Sequence, residues 1–177
     1  MDLFEAIAKR HSYRGEYIDE LIPREHLEQI VRAGIRAPSG KNEQTTSFVI
    51  VDDPEVVQKI AKIAKIAEKP TITSAKALIV CVVNPEPILA GISFALEDCA
   101  AAVENMLLAI TALGYATVWM DGVLRFNNVA ERVAEVLGVP DNLSVEVVLP
   151  LGIAKDRIAQ APKKSFAERA SYNAFEQ

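Results

Sequence analysis

The chain has 177 residues and a formal net charge of −5, with half of its residues hydrophobic and 24% charged. That length suits one well-buried core, so a single domain over residues 1–177 is expected, and the composition excludes a disordered chain. A pI near 5.2 without a long basic run argues against nucleic acid as the main partner. Glu97, Asp98 and Glu104 interrupt the longest apolar stretch, leaving none of the ~18 residues a membrane span needs. Asp2 and Glu5 stand where a signal peptide would be basic, so a cytoplasmic location is the expectation.

Residues 2–9 read as a helix with Asp2 as N-cap and Leu3, Phe4 and Ile7 along one face. At its end stand Arg10, His11, Ser12, Tyr13 and Arg14, a local excess of donors in an acidic chain. Such a group suits an anion, because guanidinium groups offer paired donors to phosphate oxygens and a serine hydroxyl adds another. It equally suits a solvated helix end, where the dipole favours basic residues. A second helix opens at Pro23, carries Leu27, Ile30, Val31 and Ile35 at helical spacing, and stops at Pro38. The loop over residues 37–44, Ala-Pro-Ser-Gly-Lys-Asn-Glu-Gln, is a run of turn formers with donors to offer, either as a surface turn or toward a ligand.

Residues 47–51 form a short strand pattern. A third helix is expected over 54–66, with Val56, Val57, Ile60, Ile63 and Ala64 inward, Lys59, Lys62 and Lys65 as a solvated stripe, and Lys69-Pro70 breaking the pattern. The continuous apolar run at 77–83 marks a central strand buried on both faces, ended by Asn84-Pro85-Glu86-Pro87. The longest helix is expected over 92–113 with Gly114 as C-cap; it is nearly apolar all round at 100–103, which puts it at the centre of the protein or in an oligomer interface. A strand over 115–120, a helix over 127–137 and a last strand over 144–149 follow. Beyond Gly152 the polar tail, residues 154–177, is too poor in apolar surface to fold alone, so it wraps over a neighbour or stays loose. This order predicts a layered α/β or α+β domain with a sheet of at least four strands.

Cys81 and Cys99 lie in apolar runs without Cys-x-x-Cys spacing and read as small buried hydrophobes; with only His11 and His26, no metal site is expected. Neither a Gly-x-Gly-x-x-Gly nor a Walker-type loop occurs, and no Ser-His-Asp arrangement suggests itself. An anion site in this chain must therefore be made by side chains.

Arg10-His11-Ser12-Tyr13-Arg14 is followed in order by the Ala37-Pro38-Ser39-Gly40-Lys41-Asn42-Glu43-Gln44 loop, by Glu104-Asn105-Met106 within 98–109, by the 114–122 segment and by Pro162-Lys163-Lys164. In these strings, over nearly its whole length, the chain resembles the nitroreductase family of FMN-dependent oxidoreductases. The resemblance implies an α+β fold, a three-layer α-β-α sandwich with a mixed, mainly antiparallel sheet, assembled as an intertwined homodimer with FMN at the subunit interface. It implies that Arg10, His11 and Ser12 grip the FMN phosphate and ribityl chain, and that Arg14 reaches the pyrimidine edge near N1 and O2 as the catalytic contribution. Pro38, Ser39, Gly40 and Asn42 would come from the other subunit. Met120, Asp121 and Gly122 would line the dimethylbenzene side and N5, Lys163 and Lys164 would close on the phosphate, and the tail would lie on the partner.

The implied activity is hydride transfer from NADH or NADPH through flavin N5 to a small aromatic acceptor, a nitroaromatic or a quinone. Alternatives are an FMN-binding carrier or sensor without NAD(P)H turnover, and another flavin chemistry such as dehalogenation or flavin breakdown. The chain departs from the family pattern at Thr45-Thr46, where many members have Pro-Trp. It departs again at Glu68 and Thr71, where larger members place an asparagine and a lysine, and it has only residues 85–92 where those members carry a pocket-shaping insertion.

Overall fold

The computed structural model describes residues 1–63, 70–86 and 89–175. Its elements are α1 (Leu3–Lys9), α2 (Arg24–Ile35), β1 (Thr46–Val51), α3 (Pro54–Ile63), α4 (Pro70–Thr73), β2 (Ala77–Val83), α5 (Ala95–Ala112), α6 (Val129–Leu137) and β3 (Ser144–Leu151), with 3-10 turns at Gly40–Asn42 and Gly122–Arg125. Ala64, Lys65 and Ile66 of the third predicted helix, together with Glu68, Lys69 and Pro87, lie outside the described residues.

The apolar run Ala77–Val83 is the central strand, buried at every position and paired antiparallel to β1 on one side and β3 on the other. Strand side chains alternate between faces. Leu78, Val80 and Val82 accordingly enter one core with Val57 and Ile60 of α3 and Val133 of α6, while Ile79, Cys81 and Val83 enter another with Ile30 of α2 and Val103, Met106 and Ile110 of α5. Helix layers thus cover both faces of the sheet, and all pairing among its described strands is antiparallel. A bulge sets the register of β3: Cys81 pairs with Val147 but Val82 with Val145, so Glu146 is the extra residue. Without it Val145 and Val147 would face the same way; with it they serve opposite cores.

The predicted strand over 115–120 is corrected by the structure. That segment touches β3 only at two bridges, Ala116 with Gly152 and Met120 with Val148. The same register would set Val118 against Pro150, which has no N–H to donate, and the Pro150 carbonyl is taken by the Tyr17 hydroxyl at 3.0 Å. The fourth strand is therefore interrupted at its middle pair. The long helix is also shorter than expected: residues 89–92 form a tight turn with Ala90 and Gly91 at positive φ, and Phe94 is the N-cap.

Tyr17 lies over Gly152, and a Cβ added there would collide with the tyrosine ring. Gly152→Ala is expected to cost roughly 1–3 kcal/mol of stability, as overpacking does. A urea unfolding midpoint unchanged from wild type would contradict this packing.

Apolar surface remains outside both cores. Leu3, Phe4 and Ile7, the apolar face expected on α1, are 60%, 81% and 45% exposed, and Ala6 is the buried residue of that helix. On the tail Phe166, Tyr172 and Phe175 are exposed as well. Among the described residues no helix is long and apolar enough to cross a membrane.

Candidate active site

Asp2 caps α1 by accepting the Glu5 N–H at 2.8 Å, and the helix ends where the Arg10 N–H donates to the Ala6 carbonyl. The chain then turns, because buried Tyr13 donates its N–H to the Thr117 carbonyl at 2.8 Å. That bond brings residues 10–14 alongside the interrupted strand that leads to Met120, Asp121 and Gly122. Arg10 is held loosely, its Nε 4.0 Å from Glu104 Oε1 of α5. His11 donates from Nδ1 to the Lys9 carbonyl at 2.9 Å, since a carbonyl can only accept, which leaves Nε2 available. Arg14 is exposed, and neither it nor the Ser12 hydroxyl has an ion-pair or hydrogen-bond partner among the described residues.

Met120 exchanges backbone hydrogen bonds with Val148, which fixes the start of the following turn. The Asp121 carboxylate accepts from Arg125 at 3.1 Å. Gly122 borders open space, with nothing within 4 Å of a built Cβ, and its N–H has no acceptor among the described residues. A flat ring can therefore approach this backbone closely.

The tail crosses the same region before it becomes fully exposed. Lys155 donates its N–H to Tyr13 Oη at 3.1 Å and pairs with Glu16 at 2.6 Å, and Gln160 Nε2 donates to the Arg10 carbonyl at 2.6 Å. Lys163 follows three residues later, within about 10 Å of extended chain. Neither Lys163 nor Lys164 has an ion-pair partner among the described residues.

The Glu16–Lys155 pair makes the tail contact pH-dependent. The hydrogen bond and charge of Lys155 hold the Glu16 carboxyl below its ordinary range, and Glu16 raises the Lys155 ammonium above its own. A depressed carboxylate contributes above its unfolded value of about 4.3 and is lost as pH falls through the folded value; a raised lysine contributes below about 10.4 and is lost above it. Hydrogen-exchange protection of residues 153–156 is thus expected to be flat from pH 5 to 9 and to drop in acid below about pH 4. Protection that persists at pH 3 would mean the pair does not anchor the tail.

Pro38, Ser39, Gly40 and Asn42 lie elsewhere. Their loop has Lys41, Asn42 and Gln44 at φ of 52°, 60° and 52°, a region that disfavours side-chain-bearing residues by about 1 kcal/mol each. It borders a groove of about 420 Å³ lined by Ile35, Pro38, Ser39, Thr46, Phe48 and Asp98, among others. Gly40 is needed for closeness, since a Cβ there would sit 2.6 Å from the Phe94 ring. Asp98, in the first turn of α5, accepts from the Gly40 N–H at 2.8 Å and from the Thr45 hydroxyl at 2.7 Å. Arg10 leans on the same helix at Glu104, about 9 Å further along its axis and about 120° around it. One chain thus joins the basic cluster to the interrupted strand and to the tail, and carries the Pro38 loop at another face of α5.

Sequence reasoning missed Asp98 and Gln160 as site-building residues. A lone carboxylate on the buried side of an apolar helix was the available signal for the first; nothing local marks the second. Cys81 and Cys99 are buried as expected, and a hydrogen bond with Cys99 together with burial pushes the Cys81 thiol upward, toward inertness. Thr71 is 4% exposed and sits in the core, and no group of three or more His, Cys, Asp or Glu among the described residues is placed to hold a metal.

The fold is a three-layer α+β sandwich in which residues 10–14, rich in cationic and hydroxyl side chains, are tied to the interrupted strand through Tyr13 and Thr117. The chain belongs to the nitroreductase family: the family's sequence profile matches residues 7–83 and 75–153. It is 34% identical over 155 residues, 88% of this chain and 87% of the other, to an Archaeoglobus fulgidus protein provisionally named NADH dehydrogenase/NAD(P)H nitroreductase. A solved nitroreductase family protein of Clostridium novyi is 32% identical with a TM-score of 0.76, covering 88% of this chain and 87% of its own. Another structure with the same provisional name, from Bacteroides thetaiotaomicron, superposes with a TM-score of 0.85 at 26% identity over 98% of both chains.

Proposed function

We propose that the protein is an FMN-dependent NAD(P)H oxidoreductase, working as a homodimer in the cytoplasm on nitroaromatic, quinone or similar small acceptors. The observation that carries this reading is the Tyr13 to Thr117 hydrogen bond, which ties the segment carrying Ser12 and Arg14 to the interrupted strand five residues before Gly122. The donor set fits the cofactor: cations and a hydroxyl for a phosphate, a further guanidinium for a pyrimidine edge, and an open backbone for a ring. When bound, FMN supplies the two-electron chemistry, accepting hydride at N5 from NADH or NADPH and delivering it to the acceptor.

The chain's own residues bind and polarise. Arg10, His11 and Ser12 hold the phosphate and ribityl chain, and Lys163 and Lys164 close on the phosphate. Arg14 would favour negative charge on the pyrimidine edge, since a cation there stabilises the charge that reduction develops. Met120, Asp121 and Gly122 line the ring near N5, and Pro38, Ser39, Gly40 and Asn42 of a second subunit complete the wall. The exposed faces of α1 and the tail are the surfaces this dimer covers. Anaerobic titration with NADH and NADPH tests the reading: bleaching of the flavin absorbance is expected, and a yellow protein that neither nucleotide bleaches would reduce it to an FMN carrier or sensor. The burial of Thr71, where larger members hold the flavin edge, favours that second reading. A colourless protein that takes up no added FMN would reject both.

A further inference from the structure

Asp98 is 5% exposed on a helix whose neighbouring turns are apolar, and both its oxygens are spent on one loop. Between the two anchor points, Gly40 and Thr45, the backbone passes through three residues at positive φ, a shape the loop's own residues disfavour. Thr45 is fixed a second time, its carbonyl accepting the Asn84 N–H at the end of β2. The loop is therefore held from outside, and Asp98 is its shared anchor to α5.

We infer that Asp98 is a positioning residue that sets flavin affinity across the subunit boundary, by holding the Ser39–Asn42 segment in the shape that closes on FMN seated at the partner's Arg10–Arg14 cluster. This rests on the flavin reading above. Within one chain the loop and the cluster engage α5 at different heights and on different faces, through Asp98 and Glu104, so a loop lost in one subunit is felt in the site of the other.

Asp98→Ala removes both acceptors and is expected to weaken FMN binding at least tenfold, about the effect of one charge-assisted hydrogen bond, with faster hydrogen exchange confined to residues 39–45. Asp98→Asn is expected to stay within about threefold, because the amide oxygen can accept from Gly40 while its NH2 donates to a rotated Thr45 hydroxyl. Co-expressed, differently tagged chains carrying Arg10→Ala and Asp98→Ala provide the decisive measurement. One site of that heterodimer collects both lesions and the other collects none, so one tightly bound FMN per two chains is expected, against none in either mutant homodimer. No tight site in the heterodimer would overturn the inference, as would Asp98→Ala binding FMN like wild type or Asp98→Asn binding as weakly as Asp98→Ala. Wild-type protein without FMN affinity, or an Arg10→Ala homodimer that binds normally, would instead reject the flavin reading itself.

Discussion

Arg10→Ala is expected to weaken FMN retention by roughly 10- to 100-fold, the loss of a charge-assisted contact to phosphate. The side chain is well placed for that effect. It is only 21% exposed, it sits at the end of α1, and its partner Glu104 is at 4.0 Å, too distant and too solvated to neutralise it. A phosphate dianion competes well for such a guanidinium. Arg14→Ala should behave differently: in the proposed site its exposed cation serves the flavin's pyrimidine edge, so its removal is expected to lower the two-electron potential by about 30 mV while affinity changes little. Equilibrium dialysis against FMN and a dye-equilibration potential measure the two quantities separately. Equal, negligible changes in both variants would remove the cluster from the flavin site.

Phe4→Glu is expected to turn the proposed dimer of 19.3 kDa chains into folded monomers and to strip FMN with it. Phe4 is 81% exposed in the single chain, so its replacement costs the fold within about 0.5 kcal/mol. In a dimer that covers Leu3, Phe4 and Ile7, a buried carboxylate without a partner costs several kcal/mol. Light scattering reads the mass, far-UV circular dichroism the fold, and absorbance the flavin. A Phe4→Glu protein that remains dimeric would exclude the α1 face from the interface. One that becomes monomeric yet keeps FMN would show that a single chain is sufficient for the site.

Much of the architecture was legible in the residues. Ala77–Val83 is uniformly apolar because both of its faces are covered, and the strand was readable to the residue. Asp2 marked a helix start through its side-chain cap, Pro23 through its fixed φ, and Gly114, at a φ of 85°, the end of α5 just past its C-cap Leu113. Other features depended on distant partners. Tyr115 to Met120 has strand composition, yet it is interrupted because register sets it against Pro150, a residue some thirty positions away. The face of Leu3, Phe4 and Ile7 has helical spacing, which says that it is apolar but not what covers it.

The candidate site divides along the same line. Arg10, Ser12, Arg14, Pro38, Gly122, Lys163 and Lys164 could be named from the sequence, because residue type and order carry the family's pattern. That Tyr13 ties the cluster to Thr117, that Gln160 draws the tail across Arg10, and that Asp98 holds the Pro38 loop on α5 were decided by tertiary structure alone. These contacts join residues 58 to 150 positions apart in sequence, and no local propensity or periodicity encodes a hydrogen bond across such a span. Chemistry was written in the side chains; which of them meet was written in the packing of α5 against α1, α2 and the sheet.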